Sequence, residues 1–159
     1  IPLDLMESNV PGVLDLGKRG HTRIVALINW TDVTRDLQVG INRGHVFEFW
    51  TQRYLGLCDH RIRHTLGPRA SALFFITDEA PAAVVGVDDC LCPTIGQEYR
   101  DGVLTASFIK PGEKATVATV REVQRCEGGQ LRPLETATGH LYEVTADEGA
   151  RMFRITLKP

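Results

Sequence analysis

The chain has 159 residues, with 18 Lys and Arg against 20 Asp and Glu, so its formal net charge is −2. This near balance predicts no basic surface for nucleic acid and no polybasic patch for anionic lipid. No apolar run approaches the roughly 18 residues that a membrane-spanning helix needs, so neither nucleic acid nor a membrane is an expected partner. The length suits one medium domain or two small ones with a real hydrophobic core.

The start of the chain and its cysteines leave the cellular compartment open. The first residue is Ile1, and no signal-peptide pattern follows it, which is typical of a piece of a longer protein. The four cysteines are too few for a disulfide scaffold in a chain of this length, so reduced, partly buried thiols are expected. They are Cys58, Cys90, Cys92 and Cys126. A bacterial cytoplasmic location and a secreted one are both consistent with the sequence.

In chain order, the first clear signals are two alternating segments, residues 23–29 and residues 45–50. The first carries apolar residues on both faces, with Ile24, Ala26 and Ile28 on one and Val25 and Leu27 on the other. The second sets Phe47 and Phe49 against Val46, Glu48 and Trp50. Apolar residues on both faces predict strands inside a sandwich and not on an open surface.

Turn residues punctuate the chain evenly, a pattern typical of all-β folds. They occur at Pro11-Gly12, residues 17–20, residues 42–44, residues 67–69, Asp101-Gly102, residues 110–113, residues 127–130, Thr138-Gly139 and residues 147–149. Asp101-Gly102 predicts a two-residue hairpin, because both positions tolerate positive φ. About a dozen short strands between these turns predict an all-β fold, an antiparallel, Greek-key-like β-sandwich.

A domain boundary is predicted at residues 77–81, where charge and Pro81 follow the apolar run of residues 72–76. It would divide the chain into residues 1–78 and residues 79–159, as two abutting small β units. A single sandwich that takes strands from both halves is equally consistent with the sequence.

Several segments in order resemble the C-terminal β-domain of α-galactosidase-like (melibiase-type) glycoside hydrolases. They are Pro2-Leu3-Asp4-Leu5 with residues 10–13, residues 25–32 (VALINWTD), residues 47–50 (FEFW) with Tyr54-Leu55-Gly56, residues 66–75, and residues 84–88 (VVGVD). After the last segment the chain has Cys90-Leu91-Cys92-Pro93 where the family pattern has a His. The match therefore rests mainly on residues 2–75.

The resemblance implies a function that this part of the chain does not perform alone. In that family an upstream (β/α)₈ barrel carries the two catalytic carboxylates, and the C-terminal sandwich packs against it. The sequence is thus expected to be a non-catalytic accessory domain, inactive by itself, of a parent glycosidase. Its expected partner is the upstream barrel of the same chain.

The carboxylates give no catalytic pair of their own. Glycoside hydrolysis needs two carboxyl groups roughly 5 to 10 Å apart across one bond. Asp88 and Asp89 are adjacent, so on a strand they would point to opposite faces. The remaining aspartates lie in predicted turns or edges, where local hydrogen bonds explain them. They are Asp4, Asp15, Asp32, Asp36, Asp59 and Asp101.

The sequence predicts neither a metal site nor a nucleophilic cysteine. Cys58, His60 and His64 would share one face of an extended segment, and Cys90 and Cys92 another. Zinc binds these residue types, but their spacing matches no standard zinc motif. Buried thiols are the better account of the cysteines. No metal and no cofactor are therefore expected.

Aromatic residues are the remaining candidates for a binding role. Trp30, Trp50 and Tyr54 could stack on a sugar or contact another domain. Trp50 closes a strand rich in Phe, so core or inter-domain packing is expected for it, and Trp30 in a turn is the better surface candidate. Asn29-Trp30-Thr31 is also a glycosylation sequon, relevant only in a secreted eukaryotic protein.

Three functions remain open at this point. The first is the accessory domain of a glycosidase, which would cover the barrel or form a homo-oligomer contact. The second is a carbohydrate-binding module that acts through exposed aromatic residues. The third is an Ig-like interaction domain whose likeness to glycosidases is fortuitous.

Overall fold

The computed structural model describes residues 12–87, 96–108, 112–136 and 139–159. Within them the chain forms thirteen strands and no helix. A membrane-spanning helix is therefore absent from the described residues. The strands are β1 Val13–Arg19, β2 Thr22–Ile28, β3 Arg35–Glu48, β4 Arg53–Leu66, β5 Ser71–Asp78, β6 Ala82–Val87, β7 Gln97–Arg100, β8 Val103–Ser107, β9 Lys114–Thr119, β10 Val123–Glu127, β11 Gly129–Leu134, β12 His140–Ala146 and β13 Met152–Leu157. The predicted all-β class is confirmed.

The strands form three antiparallel sheets. The first has the order β1-β2-β5-β3-β4, the second β11-β12-β9-β6 and the third β10-β13-β8-β7. In the first sheet β5 pairs with β2 on one side and with the end of β3 on the other. The β3–β4 hairpin is therefore separated from β2 by a strand that follows both in sequence.

Three apolar clusters lie between or within these sheets. One packs the second sheet against the third, through residues such as Val84, Val117 and Phe153. Another packs the first sheet against the second, through Phe47, Phe75 and others. The second sheet is thus covered on both faces, as the middle layer of three packed sheets.

The third cluster lies inside the first sheet. It joins Val25 and Phe74 of the central strands to Val39 and Ile62 of the β3–β4 hairpin. Only the segment from Gly44 to Glu48 of β3 pairs with β5, so the other half of the hairpin folds over the face of the sheet. This explains why β2 is apolar on both faces: Ile24 belongs to the cluster with the second sheet, and Val25 and Leu27 to this one.

One predicted turn, residues 42–44, is wrong. β3 continues through it as a β-bulge, between the pairs Ile41↔His60 and Gly44↔Cys58. Gly44 serves close packing there, since an added Cβ would lie 2.6 Å from the Thr77 carbonyl oxygen. β3 and β4 therefore have 14 residues each and are not the short strands that were expected.

The hairpin at Asp101-Gly102 is confirmed. Asp101 has φ of 50° and Gly102 of 83°, and they join β7 to β8 with Arg100 opposite Val103. Positive φ at both central residues is the geometry of a type I′ turn.

The strands of the first sheet all precede residue 79, and those of the other two sheets all follow it. Because one cluster joins the first sheet to the second, the two groups share a core. The division into two domains, residues 1–78 and 79–159, stays a prediction.

Candidate functional site

The turn that follows β3 is held in place by a buried carboxylate. Glu48, at the end of β3, is only 3% exposed. Its carboxylate oxygens accept hydrogen bonds from the backbone N–H of Trp50 at 3.1 Å, of Thr51 at 2.6 Å and, more weakly, of Leu73 at 3.4 Å. The Thr51 hydroxyl donates a further one. A carboxylate removed from water needs such donors, and in return it fixes the turn.

Trp50 lies on this turn and faces solvent. Its side chain is 58% exposed, so the expected core packing is wrong for this residue. The physical reason is that β3 ends at Glu48 and the chain turns back at Gln52, which has φ of 52°. The strand alternation does not extend to Trp50. Packing of Trp50 against a different domain stays a prediction.

The indole ring is nevertheless supported from one side. It meets the Phe49 ring edge-on at a centroid distance of 5.1 Å, and Phe49 meets the buried Phe75 at 5.4 Å. Edge-to-face contacts of this kind orient aromatic rings. Trp50 is therefore an exposed aromatic on a rigid base.

Trp30 lies in a second loop that is organised by a buried polar residue. The two N–H groups of the Asn29 side-chain amide are shared among the carbonyl oxygens of Val33, Leu66 and Gly67, and its oxygen accepts from Thr31. Trp30 itself is half-buried, while Val33 in the same loop is 60% exposed. Since the Asn29 nitrogen is buried and engaged three times, glycan attachment there is incompatible with this packing.

Tyr54 is tied to a buried histidine. Its hydroxyl lies 2.8 Å from Nδ1 of His45, and Nε2 of His45 lies 2.9 Å from the carbonyl oxygen of Ala80. Since that carbonyl can only accept, Nε2 carries the proton; in neutral His45, Nδ1 then accepts from the Tyr54 hydroxyl. Burial raises the pKa of Tyr54 to about 12, so the hydroxyl remains a donor. His45 thereby fastens β3 to the connection between β5 and β6.

This arrangement predicts a pH-dependent stability. Burial lowers the pKa of His45 below its ordinary 6.5, although the Ala80 carbonyl and the Glu79 charge oppose the shift. The folded chain thus favours the neutral ring. The contribution of His45 to stability is therefore complete above pH 6.5 and declines below it. We expect the free energy of unfolding to fall by up to about 1.4 kcal/mol per pH unit there from this residue.

Urea denaturation of the wild type, His45→Gln and His60→Gln between pH 7.5 and 5 checks this prediction. His45→Gln should flatten the profile, whereas exchange of the exposed His60 should leave its slope unchanged. Equal slopes in all three proteins would contradict the role given to His45.

A cleft of 560 Å³ opens beside the Trp50 turn, where β4 faces the end of β11 and the start of β12. One wall is formed by Gln52, Arg53, Tyr54 and Leu55, and the other by Leu134, Glu135, Thr136 and Leu141. Tyr54, Leu134 and Leu141 also belong to the cluster between the first and second sheets. The floor of the cleft is therefore an extension of the core.

Among the described residues, the candidate metal ligands do not come together. In the part of the chain that the structure describes, no group of three or more His, Cys, Asp or Glu side chains could hold a metal ion. His60 has φ of 67°, at an irregularity within β4, so its backbone is not the extended one on which it was expected to share a face with Cys58 and His64. Cys90 and Cys92 lie outside the described residues. Burial raises the pKa of both Cys58 and Cys126, which favours the unreactive thiol.

The described aspartates make local contacts. Asp15 accepts from the Gly17 amide and pairs with Arg23, and hydrogen bonding to the Arg23 side chain is the main cause of its lowered pKa. Asp32 pairs with Arg69 in the same way. Asp4, Asp88 and Asp89 lie outside the described residues. These contacts are those of structural carboxylates in turns and edges, as predicted.

Glu48 and Asn29 organise the site and were not singled out from the sequence. Glu48 stands alone among Phe47, Phe49 and Trp50, and a single charge in an apolar run is a signal for a buried, hydrogen-bonded carboxylate. Asn29 directly follows an apolar strand, a position at which a side-chain amide can satisfy loop carbonyls.

Comparison with known proteins gives little further information. No family model matches the chain, and no curated protein matches it. A search of solved structures finds the isomalto-dextranase of Arthrobacter globiformis T6, complexed with panose, at 18% identity and a TM-score of 0.35. The match covers 91% of this chain and 33% of that one, so this chain spans about a third of its length. A weak structural neighbour of this chain is thus a glycoside hydrolase. At this similarity nothing about this chain's fold or activity follows from it.

Proposed function

We propose that this chain is a non-catalytic accessory β-sandwich domain of an α-galactosidase-like glycoside hydrolase, which packs against an upstream catalytic barrel. The proposal rests on one observation, the positions in the fold of the segments that are similar to that family. Residues 25–28 pair with residues 71–74 across β2 and β5, and Phe47 pairs with both Tyr54 and Phe75. Segments up to 49 residues apart in sequence, from Val25 to Phe74, thus lie side by side in one sheet. This supports a common origin for the similar segments.

The Asn29 loop supplies a suitable contact surface for the barrel. Val33 exposes an apolar side chain on a loop whose backbone is fixed by the three bonds from the Asn29 amide. A rigid apolar projection loses little conformational entropy when another domain covers it. In the proposal, Val33 and the neighbouring Trp30 pack against the barrel.

The coding sequence upstream of Ile1 provides the first test. We expect it to encode a (β/α)₈ barrel with two aspartates placed for glycoside hydrolysis. An open reading frame that starts near Ile1 would overturn the proposal and leave the Ig-like interaction domain as the better candidate.

Two matched variants of the full-length enzyme provide the second test. Val33→Asp should lower the melting temperature of the full-length enzyme by several degrees, because burying Val is worth about 1.5 to 3 kcal/mol and a buried charge costs more. Val120→Asp, at a valine of the other half with 56% exposure, is the control and should have little effect. Differential scanning calorimetry measures both. Equal shifts in the two variants would contradict a contact through Val33.

A further inference from the structure

The cleft beside the Trp50 turn has walls from both halves of the chain. Gln52 and residues 53–55 lie at the start of the first sheet's edge strand β4 and in the turn before it, and Leu134 to Thr136 end and follow the second sheet's edge strand β11. Its volume of 560 Å³ lies within the range of about 300 to 1,000 Å³ that is usual for small-molecule sites. The floor is preformed, because Leu141 is buried in the cluster that joins the two sheets.

The chemistry of the lining combines an apolar floor with a polar rim. Leu134, Leu141 and the ring of Tyr54 offer carbon surface, and the Tyr54 hydroxyl is already engaged by His45. At the rim stand the exposed side chains of Gln52, Arg53 and Glu135. The Gln52 amide nitrogen already donates to the Phe49 carbonyl oxygen at 2.7 Å. The guanidinium and the carboxylate are planar groups that can bind two neighbouring hydroxyls at once.

The charges at the rim favour an uncharged ligand. Arg53 lies on the β4 wall and Glu135 on the opposite wall, so the cleft carries one charge of each sign. A phosphate or another anion would meet Glu135, and a cation would meet Arg53. A ligand with many hydroxyl groups and no net charge can use both, by accepting from the first and donating to the second.

Trp50 provides an exposed flat surface on the turn that leads into one wall of this cleft. It lies two residues before Gln52 on the turn that Glu48 holds, and its ring rests against Phe49 of the same cluster as the floor. An exposed ring that is already oriented gains contact area at low entropic cost. The C–H face of a pyranose ring is an apolar surface of matching shape.

From these four features we infer that the cleft and Trp50 together form a binding site for a neutral oligosaccharide. One sugar ring stacks on Trp50, and the adjoining rings lie in the cleft between Arg53 and Glu135. This site is separate from the Val33 surface and does not depend on whether a catalytic barrel precedes the chain.

Intrinsic fluorescence tests the stacking contact. The chain has two tryptophans, so Trp30→Phe leaves Trp50 as the only indole and Trp50→Phe leaves Trp30. Titration with a panel of neutral gluco-, galacto- and manno-oligosaccharides should change the emission of Trp30→Phe in a saturable manner. The emission of Trp50→Phe should change by less than a tenth as much. No saturable change with any sugar up to 10 mM would overturn the inference.

Calorimetric titration of the sugar found in this way tests the rim. Arg53→Ala and Trp50→Ala should each weaken binding at least tenfold, and Arg61→Ala, an exposed arginine on the same strand outside the cleft, should leave it within twofold. Circular dichroism confirms that the variants are folded. Equal affinities in all three variants would overturn the inference. Neither result bears on the accessory-domain proposal, which the upstream coding sequence decides.

Discussion

Glu48→Ala should destabilise this chain more than any other single change at the Trp50 turn. The substitution leaves the buried N–H of Leu73 and the amides of Trp50 and Thr51 without their acceptor, and it opens a cavity between the turn and β5. An unsatisfied buried donor costs about 1 to 3 kcal/mol. We therefore expect the free energy of unfolding in urea to fall by about 3 to 5 kcal/mol, because several hydrogen bonds to one charged group are lost together.

The isosteric variant separates hydrogen bonding from packing. Glu48→Gln keeps the volume but turns an amide –NH₂ towards backbone N–H donors, so about half of the loss should remain. Glu98→Ala, at an exposed glutamate on β7, is the control and should stay within about 0.5 kcal/mol of the wild type. A full recovery of stability in Glu48→Gln would show that the carboxylate only fills space.

The same variants connect stability to the binding site. The carboxylate determines where Trp50 lies, so a folded fraction of Glu48→Gln at low temperature should bind oligosaccharide more weakly than the wild type. Trp50→Ala, by contrast, removes an exposed ring and should weaken binding without a comparable loss of stability. Glu48, which stabilises the turn, and Trp50, which contacts the ligand, are thus only two positions apart.

The central strands could be predicted from the sequence because their signal is local. The alternation of residues 23–29 predicted two apolar faces, and the structure places Ile24 in one cluster and Val25 in another. Asp101-Gly102 was predicted as a hairpin for the same reason, since two residues suffice to specify a type I′ turn. Local patterns of this kind need no knowledge of the sheet order.

The rest depends on contacts between distant residues. The residue pattern of β3 does not show that its first half folds over β2, because that fold follows from the insertion of β5 between β2 and β3. The alternation of apolar residues also continues in the sequence through Trp50, whereas in the structure β3 ends at Glu48 and the chain turns back at Gln52. The exposure of Trp50 and its place beside the cleft therefore required the structure.

The contact between the first and second sheets has no space for one additional methyl group at Gly86. A Cβ there would lie 2.7 Å and 2.8 Å from ring atoms of Phe47, which is buried. Gly86→Ala should therefore cost about 1 to 3 kcal/mol through overpacking, although alanine normally stabilises a strand relative to glycine. Gly67→Ala, where no atom lies within 4 Å, is the control and should be close to neutral.

A double-mutant cycle shows whether the two residues act on each other. Phe47→Ala alone should cost about 3 to 5 kcal/mol because it leaves a cavity between the sheets. The added methyl of Gly86→Ala then has room. The double variant should therefore lose about 1 to 3 kcal/mol less than the sum of the two single losses. Additive losses in urea denaturation would mean that Gly86 is required for its backbone conformation and not for the approach of the Phe47 ring. The expected coupling would show that close packing constrains the junction of the same two sheets whose edges form the cleft.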